Sequence, residues 1–206
     1  KKYTVTFKDW DGSPIASNIV RHGTAATAPA DPVREGYTFD CWDVAFDNVT
    51  ENLTITATYT INQYTISFDS AGGSAVAAIT QDYGTEIEAP ANSTREGYTF
   101  MGWNPEVPGT MPAGNLELTA QWEINQYTIT FDSAGGTPVA AITQDYGTQV
   151  TKPVDPTRPG YTFDGWDKDI PEAMPAENII ITAQWKAVEY SITYELDGGT
   201  NHADNP

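Results

Sequence analysis

Positive charge is scarce in this chain of 206 residues, where ten Lys and Arg stand against 28 Asp and Glu for a net charge of −18. A field of that sign repels polyanions, so nucleic acid and anionic membrane surfaces are excluded as partners. What it leaves is a solvated acidic exterior that keeps an exposed protein soluble. Cysteine is almost missing too. A single Cys41 rules out an intrachain disulfide, and that scarcity suits either the cytosol or bacterial surface proteins built without disulfides. No apolar run approaches the roughly 20 residues of a membrane-spanning helix. The start, Lys1-Lys2-Tyr3, also lacks a signal peptide's apolar region, so the chain reads as a piece of something longer.

Groups for catalysis are equally sparse. Acid–base or nucleophilic work needs converging side chains, and the chain offers only His22, His202 and Cys41, none at a repeated position. No catalytic residue and no cofactor site is expected. Asp9-Trp10-Asp11-Gly12 resembles the start of a calcium loop, but no Glu completes it, so no metal site is expected either.

Repetition is what the sequence has in abundance. Gly36-Tyr37-Thr38-Phe39-Asp40-Cys41-Trp42 returns as Gly97-Tyr98-Thr99-Phe100-Met101-Gly102-Trp103 and as Gly160-Tyr161-Thr162-Phe163-Asp164-Gly165-Trp166. The spacing from Trp42 to Trp103 is 61 residues and from Trp103 to Trp166 is 63, too long for a solenoid coil and suited to a small self-contained domain. The chain therefore divides into modules at 1–62, 63–125 and 126–188, with 189–206 as the truncated start of a fourth.

Within a module the pattern is that of strands. Tyr3-Thr4-Val5-Thr6-Phe7 alternates large apolar residues with Thr, as do Tyr64-Thr65-Ile66-Ser67-Phe68 and Tyr127-Thr128-Ile129-Thr130-Phe131. Each runs into a turn at Asp11-Gly12, Gly72-Gly73 or Gly135-Gly136, where glycine supplies positive φ. Ile79-Thr80-Gln81-Asp82-Tyr83 and Ile142-Thr143-Gln144-Asp145-Tyr146 read as second strands, followed by proline-bearing loops that exclude a helix. A third strand carries Gly-Tyr-Thr-Phe, and the last begins at Leu53, Leu116 and Ile179. The Met111 and Met174 segments read as loop, with at most one helical turn. Four residues without Gly or Pro join successive modules, which implies a stiff string of roughly 90 Å.

Aromatic residues must supply much of the core of so small a module. Trp42, Trp103 and Trp166 are expected to be buried, each with its neighbours Tyr37 and Phe39, Tyr98 and Phe100, or Tyr161 and Phe163. Arg34, Arg95 and Arg158 are the basic residues that recur in all three modules, and each is expected to pair with a carboxylate or carbonyl and hold the loop before Gly-Tyr-Thr-Phe. Cys41, where the other repeats have Gly102 and Gly165, marks a tight turn. Trp10 stands where repeats two and three have Ala71 and Ala134. It is the candidate ligand contact, with covering of the neighbouring loop as the alternative.

These residues together, Tyr-Thr-Ile-Thr-Phe-Asp-x-x-Gly-Gly, then Tyr-Gly-Thr, then Gly-Tyr-Thr-Phe-x-Gly-Trp, then Leu-Thr-Ala-Gln-Trp, resemble the Listeria–Bacteroides repeat family over essentially the whole chain. The resemblance implies a mainly β architecture, a tandem array of β-grasp-like, ubiquitin-like modules of about 62 residues with the first hairpin of a fourth. It also implies a bacterial cell-surface or secreted protein in which such modules act as spacers. Repeat one departs from the pattern at Trp10-Asp11-Gly12 and at Arg21-His22-Gly23.

The function expected from the residues and the resemblance together is a non-catalytic stalk of an adhesin-like protein. Repeats two and three agree at 20 of 27 positions from Tyr64 to Pro90 against Tyr127 to Pro153, and a single ligand site would not need copying. The alternative is a multivalent module that contacts a host protein or glycan weakly through each repeat. A monomer is expected. Tyr190, Ile192 and Tyr194 begin a fourth module that lacks its core, so strand pairing through residues 190–194, on repeat three or on a neighbour, is expected as well.

Overall fold

The alternation in Tyr3-Thr4-Val5-Thr6-Phe7 becomes strand β1 (Lys2–Lys8), with Val5 and Phe7 wholly buried and Thr4 exposed. This computed structural model describes residues 1–193, 195 and 197–199. Strands β2 (Pro14–Arg21), β3 (Tyr37–Trp42) and β4 (Leu53–Ile61) complete a four-stranded mixed sheet in the order β2-β1-β4-β3. Its central pair is parallel, placing Val5 beside Leu53 and Phe7 beside Ile55, while both outer pairs are antiparallel. The parallel register lines up the alternating apolar residues of β1 and β4 on one face. Val5, Phe7, Ala26, Val49 and Ile55 form the core there.

The same plan recurs twice. Strands β5 (Gln63–Asp69), β6 (Ile79–Asp82), β7 (Tyr98–Asn104) and β8 (Leu116–Ile124) form the second sheet in the order β6-β5-β8-β7, over a core that includes Ile66, Trp103, Met111 and Leu118. Strands β9 (Gln126–Asp132), β10 (Ile142–Asp145), β11 (Tyr161–Trp166) and β12 (Ile179–Ala187) form the third, over Ile129, Phe131, Val150, Met174 and Ile181. No helix occurs among the described residues, so loops cover the sheets. Two compact units divide the chain: Lys1–Arg95 with Thr99–Glu123, and Glu96–Tyr98 with Ile124–Pro206.

Several details differ from the sequence expectation. The positive φ at the hairpin of repeat two belongs to Ala71 and Gly72, at 46° and 88°, and in repeat three to Ala134 and Gly135, at 47° and 86°. Two successive positive φ values turn the chain sharply at the end of β5 and of β9, at the start of the loop that leads to the next strand. Asp69 Oδ1 accepts the Ala71 N–H at 2.9 Å, as Asp132 does for Ala134, which offsets the strain of placing alanine there. The second glycine serves packing instead, since a Cβ on Gly73 would run into the Trp122 ring.

The Met111 and Met174 segments form no helical turn. Met111 is 1% exposed and exchanges backbone hydrogen bonds with the Tyr-Gly-Thr segment: Gly84 N–H donates to its carbonyl and its own N–H donates to Thr85. Cys41 is exposed and sits at a bulge in β3 rather than at a turn, because its register against β4 slips between Phe39 and Cys41.

The joins between modules are shorter than four residues. Only Asn62 separates β4 from β5, and only Asn125 separates β8 from β9. The expected strand of a fourth module is not formed at residues 190–193, and Tyr190 and Ile192 are 77% and 75% exposed. A hairpin without the rest of its module has no core to fold against. Tyr194 lies outside the described residues.

Candidate functional site

The first repeat carries the most unusual cluster. Its turn Asp9-Trp10-Asp11-Gly12 closes with Gly12 N–H donating to the Asp9 carbonyl at 2.9 Å, and Gly12 takes φ 84°. This aims Trp10 back over the loop, where the Arg34 guanidinium lies 4.0 Å from the Trp10 ring centroid and 3.5 Å from that of Tyr37. Arg34 is thus held between two aromatic faces, with Tyr59 further off at 5.6 Å. Trp10 is nevertheless 53% exposed, so it covers the arginine and still shows surface to solvent.

Tyr59 closes the cluster. Its hydroxyl donates to Asp9 Oδ1 at 2.7 Å. Burial, and then the hydrogen bond and negative charge of Asp9, push the phenol up to about 12. Hydrogen bonds from the Ser13 hydroxyl and amide hold the exposed Asp11 carboxyl below its ordinary value.

Repeats two and three solve the same packing problem with exchanged residues. Alanine stands at the Trp10 position and tryptophan at the Tyr59 position, and the Trp122 and Trp185 indoles donate to the carbonyls of Ser70 and Ser133 at 3.0 Å. Arg95 and Arg158 donate to the carbonyls of Ala71 and Ala134 at 3.2 and 3.1 Å. The large ring sits on the turn in one version and on the last strand in the other. This exchange between positions about 50 residues apart was not read from the sequence, although the substitutions Trp10 for Ala and Tyr59 for Trp were both visible in it.

The repeated tryptophans pack on phenylalanines of their own modules: Trp42 on Phe7 and Phe39, Trp103 on Phe68 and Phe100, Trp166 on Phe131 and Phe163, all with centroids 4.9–5.4 Å apart. Trp103 is buried at 9% exposure, while Trp42 and Trp166 are half-buried at the core margin. Phe39, Phe100 and Phe163 are half-buried between this tryptophan and the ring at the end of the last strand.

The tyrosines behave differently. Tyr37 meets Tyr83, edge to face, at 6.1 Å, and within the second unit Tyr98 meets Tyr146 at 6.2 Å. Tyr161, expected in the core, is 39% exposed. The correction has a plain cause: this position faces the end of the module, where its counterparts are covered by the tyrosine of the next Tyr-Gly-Thr segment, and Tyr161 has no such ring among the described residues.

His22 is exposed with its ring 5.9 Å from Tyr3, and no group of three His, Cys, Asp or Glu among the described residues is placed to hold a metal. A cleft of about 630 Å³ in repeat two is lined by Ala75 to Ile79 and Glu88 to Asn92, with Glu88 its single charged residue. Another of about 610 Å³ in the second unit lies among Glu96, Tyr146 and Ala173 to Glu177.

The model of the Listeria-Bacteroides repeat domain matches residues 3–63, 64–121 and 127–184. The chain belongs to the Listeria-Bacteroides repeat family. Each match opens within the first strand of a sheet and reaches into its fourth. Relatives include a protein of Evansella cellulosilytica described as a Gly-rich membrane protein, 31% identical over 224 residues that cover 96% of this chain and 26% of that protein. Internalin H of Listeria monocytogenes is 35% identical over 156 residues, 66% of this chain and 28% of internalin H. The chain spans between a quarter and a third of the length of the curated relatives it matches. Among solved structures, tandem SHIRT domains 3-4 from a streptococcal cell surface protein align over 60% of this chain and 98% of that one, at 17% identity and a TM-score of 0.24.

Proposed function

We propose that this repeat region is a non-catalytic spacer of a bacterial surface protein, with residues 1–62, 63–125 and 126–188 as its folding units. The observation that carries the reading is the use made of Asn62. Its N–H donates to the Gly36 carbonyl and its carbonyl accepts from Tyr83, both at 2.9 Å. Its side chain accepts from the Thr38 hydroxyl at 2.6 Å and donates to the Tyr64 hydroxyl at 3.3 Å. A single residue so fully bonded to the modules on either side cannot act as a flexible linker, and resisting bending is what a spacer requires. The names of the relatives, an internalin and a membrane protein, support a surface setting, and no helix among the described residues is long and apolar enough to span a membrane. Small-angle scattering of the 206-residue chain tests this: a maximum dimension near roughly 90 Å is expected, and a compact particle overturns it.

A second reading, multivalent weak binding of a host protein or glycan, is favoured by the solvent-facing part of Trp10. Saturable quenching of its fluorescence on a glycan or receptor panel, lost in Trp10→Ala, supports that reading. Absence of saturable binding removes it.

A further inference from the structure

Repeat one carries a longer free edge than the other two. Strand β2 runs for eight residues, whereas β6 and β10 run for four, and the chain before them bonds to a loop instead, Ser74 N–H to Thr94 and Thr137 N–H to Thr157, both at 2.8 Å. Short edge strands resist pairing with other chains. Opposite Thr65 and Thr128, repeats two and three hold Thr80 and Thr143, each pair with its hydroxyls 2.8 Å apart. Repeat one has Ile19 opposite Thr4 at the same place, 73% exposed, and Ile15 is exposed further along the strand.

The backbone of β2 is open on its outer side. His22 N–H donates to the Lys1 carbonyl at 3.0 Å, and bonded pairs alternate along an antiparallel ladder, so Asn18 and Val20 turn their groups to β1. Ser17 and Ile19 turn theirs outward, where β2 ends the sheet. The joins between repeats use the residue that follows this strand, Tyr83 after β6 and Tyr146 after β10, and so leave the edge itself open.

We infer that β2 is a docking edge for β2 of a second copy of this chain, paired antiparallel about Ser17. In that register Ser17 faces its own counterpart, each Ile19 meets the other copy's Ile15, and each Arg21 reaches the other copy's Ser13. The arrangement is self-complementary, as a two-fold contact must be. Exposed isoleucines cover one another, and Arg21, the one charged residue of the strand, comes beside the other copy's Asp11, because Asp11 Oδ1 holds the Ser13 amide at 2.9 Å. Lys1, Lys2, Lys8, Arg21 and Arg34 place five of the ten cations in this repeat, which weakens the repulsion between two chains of net charge −18. The inference goes beyond the spacer reading and does not rest on it, because it holds whatever the array does.

Sedimentation equilibrium of the 206-residue chain tests it. A single strand edge buries little area, so a monomer–dimer equilibrium with a dissociation constant of about 0.1–1 mM is expected. Ile19→Lys, made at an exposed position and expected to keep its melt, should raise that constant at least about tenfold. A chain that stays monomeric at about 1 mM overturns the inference, and so does a dimer that Ile19→Lys leaves intact. Cross-linking reads the register. In a Cys41→Ser background, Ser17→Cys is expected to oxidise to a disulfide-linked dimer, since bonded antiparallel pairs stand about 5.5 Å apart between Cα atoms, within disulfide reach. Ile19→Cys, placed opposite Ile15 and not its own counterpart, is expected to link at least about tenfold less. Equal or reversed yields overturn the pairing about Ser17.

Discussion

The backbone N–H of Asn62 donates to the carbonyl of Gly36 at 2.9 Å, tying the one residue between β4 and β5 to the loop of the module behind it. The side chain adds bonds to Thr38 and Tyr64 that the backbone alone would not make. Asn62→Ala should remove both and cost about 1–2 kcal/mol, leaving the two main-chain bonds in place. Urea unfolding followed by amide exchange at Tyr83 checks this. An unchanged midpoint together with unchanged exchange would show that the side chain is idle.

Trp103 is buried against Phe68 at 4.9 Å and Phe100 at 5.3 Å. Removing it should open a cavity and cost about 3–5 kcal/mol, comparable with the whole stability of a module this size. Trp42→Ala and Trp166→Ala should cost less, because both are half-buried. Denaturation of the three variants gives the order, and equal losses would contradict the difference in burial.

Met111 is buried almost as deeply as Ile66 and Leu118 of the second sheet. Met111→Ala should cost about 2–5 kcal/mol, and Met111→Leu less than about 1.5 kcal/mol, since volume is kept. Thermal melts of the two variants separate packing from mere loop placement. A harmless Met111→Ala would return this segment to the status of surface loop.

Tyr59 should make the first repeat sensitive to alkali. Its folded value of about 12 lies above the ordinary 10, so the folded form favours the protonated phenol. That stabilisation is complete below pH 10 and is lost as pH rises through about 12. Absorbance titration near 295 nm should show one tyrosine ionising late, and Asp9→Asn should bring it down by removing the adjacent negative charge. A titration with no late tyrosine would mean that the Asp9 contact does not persist in solution.

Repetition and strand positions were legible in the sequence, because alternation with period two and recurrence near 62 residues are local or self-referring signals; of the nine aromatic residues expected in the cores, Trp103 is buried, Tyr161 is exposed and the others are half-buried at the margin. The place of Arg34, Arg95 and Arg158 in the loop before Gly-Tyr-Thr-Phe was legible too, and with it the carbonyl that Arg95 and Arg158 each meet, though not the Trp10 and Tyr37 rings that hold Arg34. Three matters were decided by the tertiary structure. Met111 and Met174 became core because the Tyr-Gly-Thr segment pairs with them across the module, a contact that no local pattern encodes. Trp10 and Tyr59 could be matched to Ala71 and Trp122 only once the first turn and the last strand were seen to be neighbours. Tyr37 and Tyr98 share a strand pattern with buried residues yet face the end of the module, since alternation says which face a residue takes but not whether its own core or a following repeat covers that face. The sequence by itself determined the module. Which residues join one module to the next was decided by the single-residue join at Asn62, where a carbonyl, an amide and a tyrosine ring from distant parts of the chain come together.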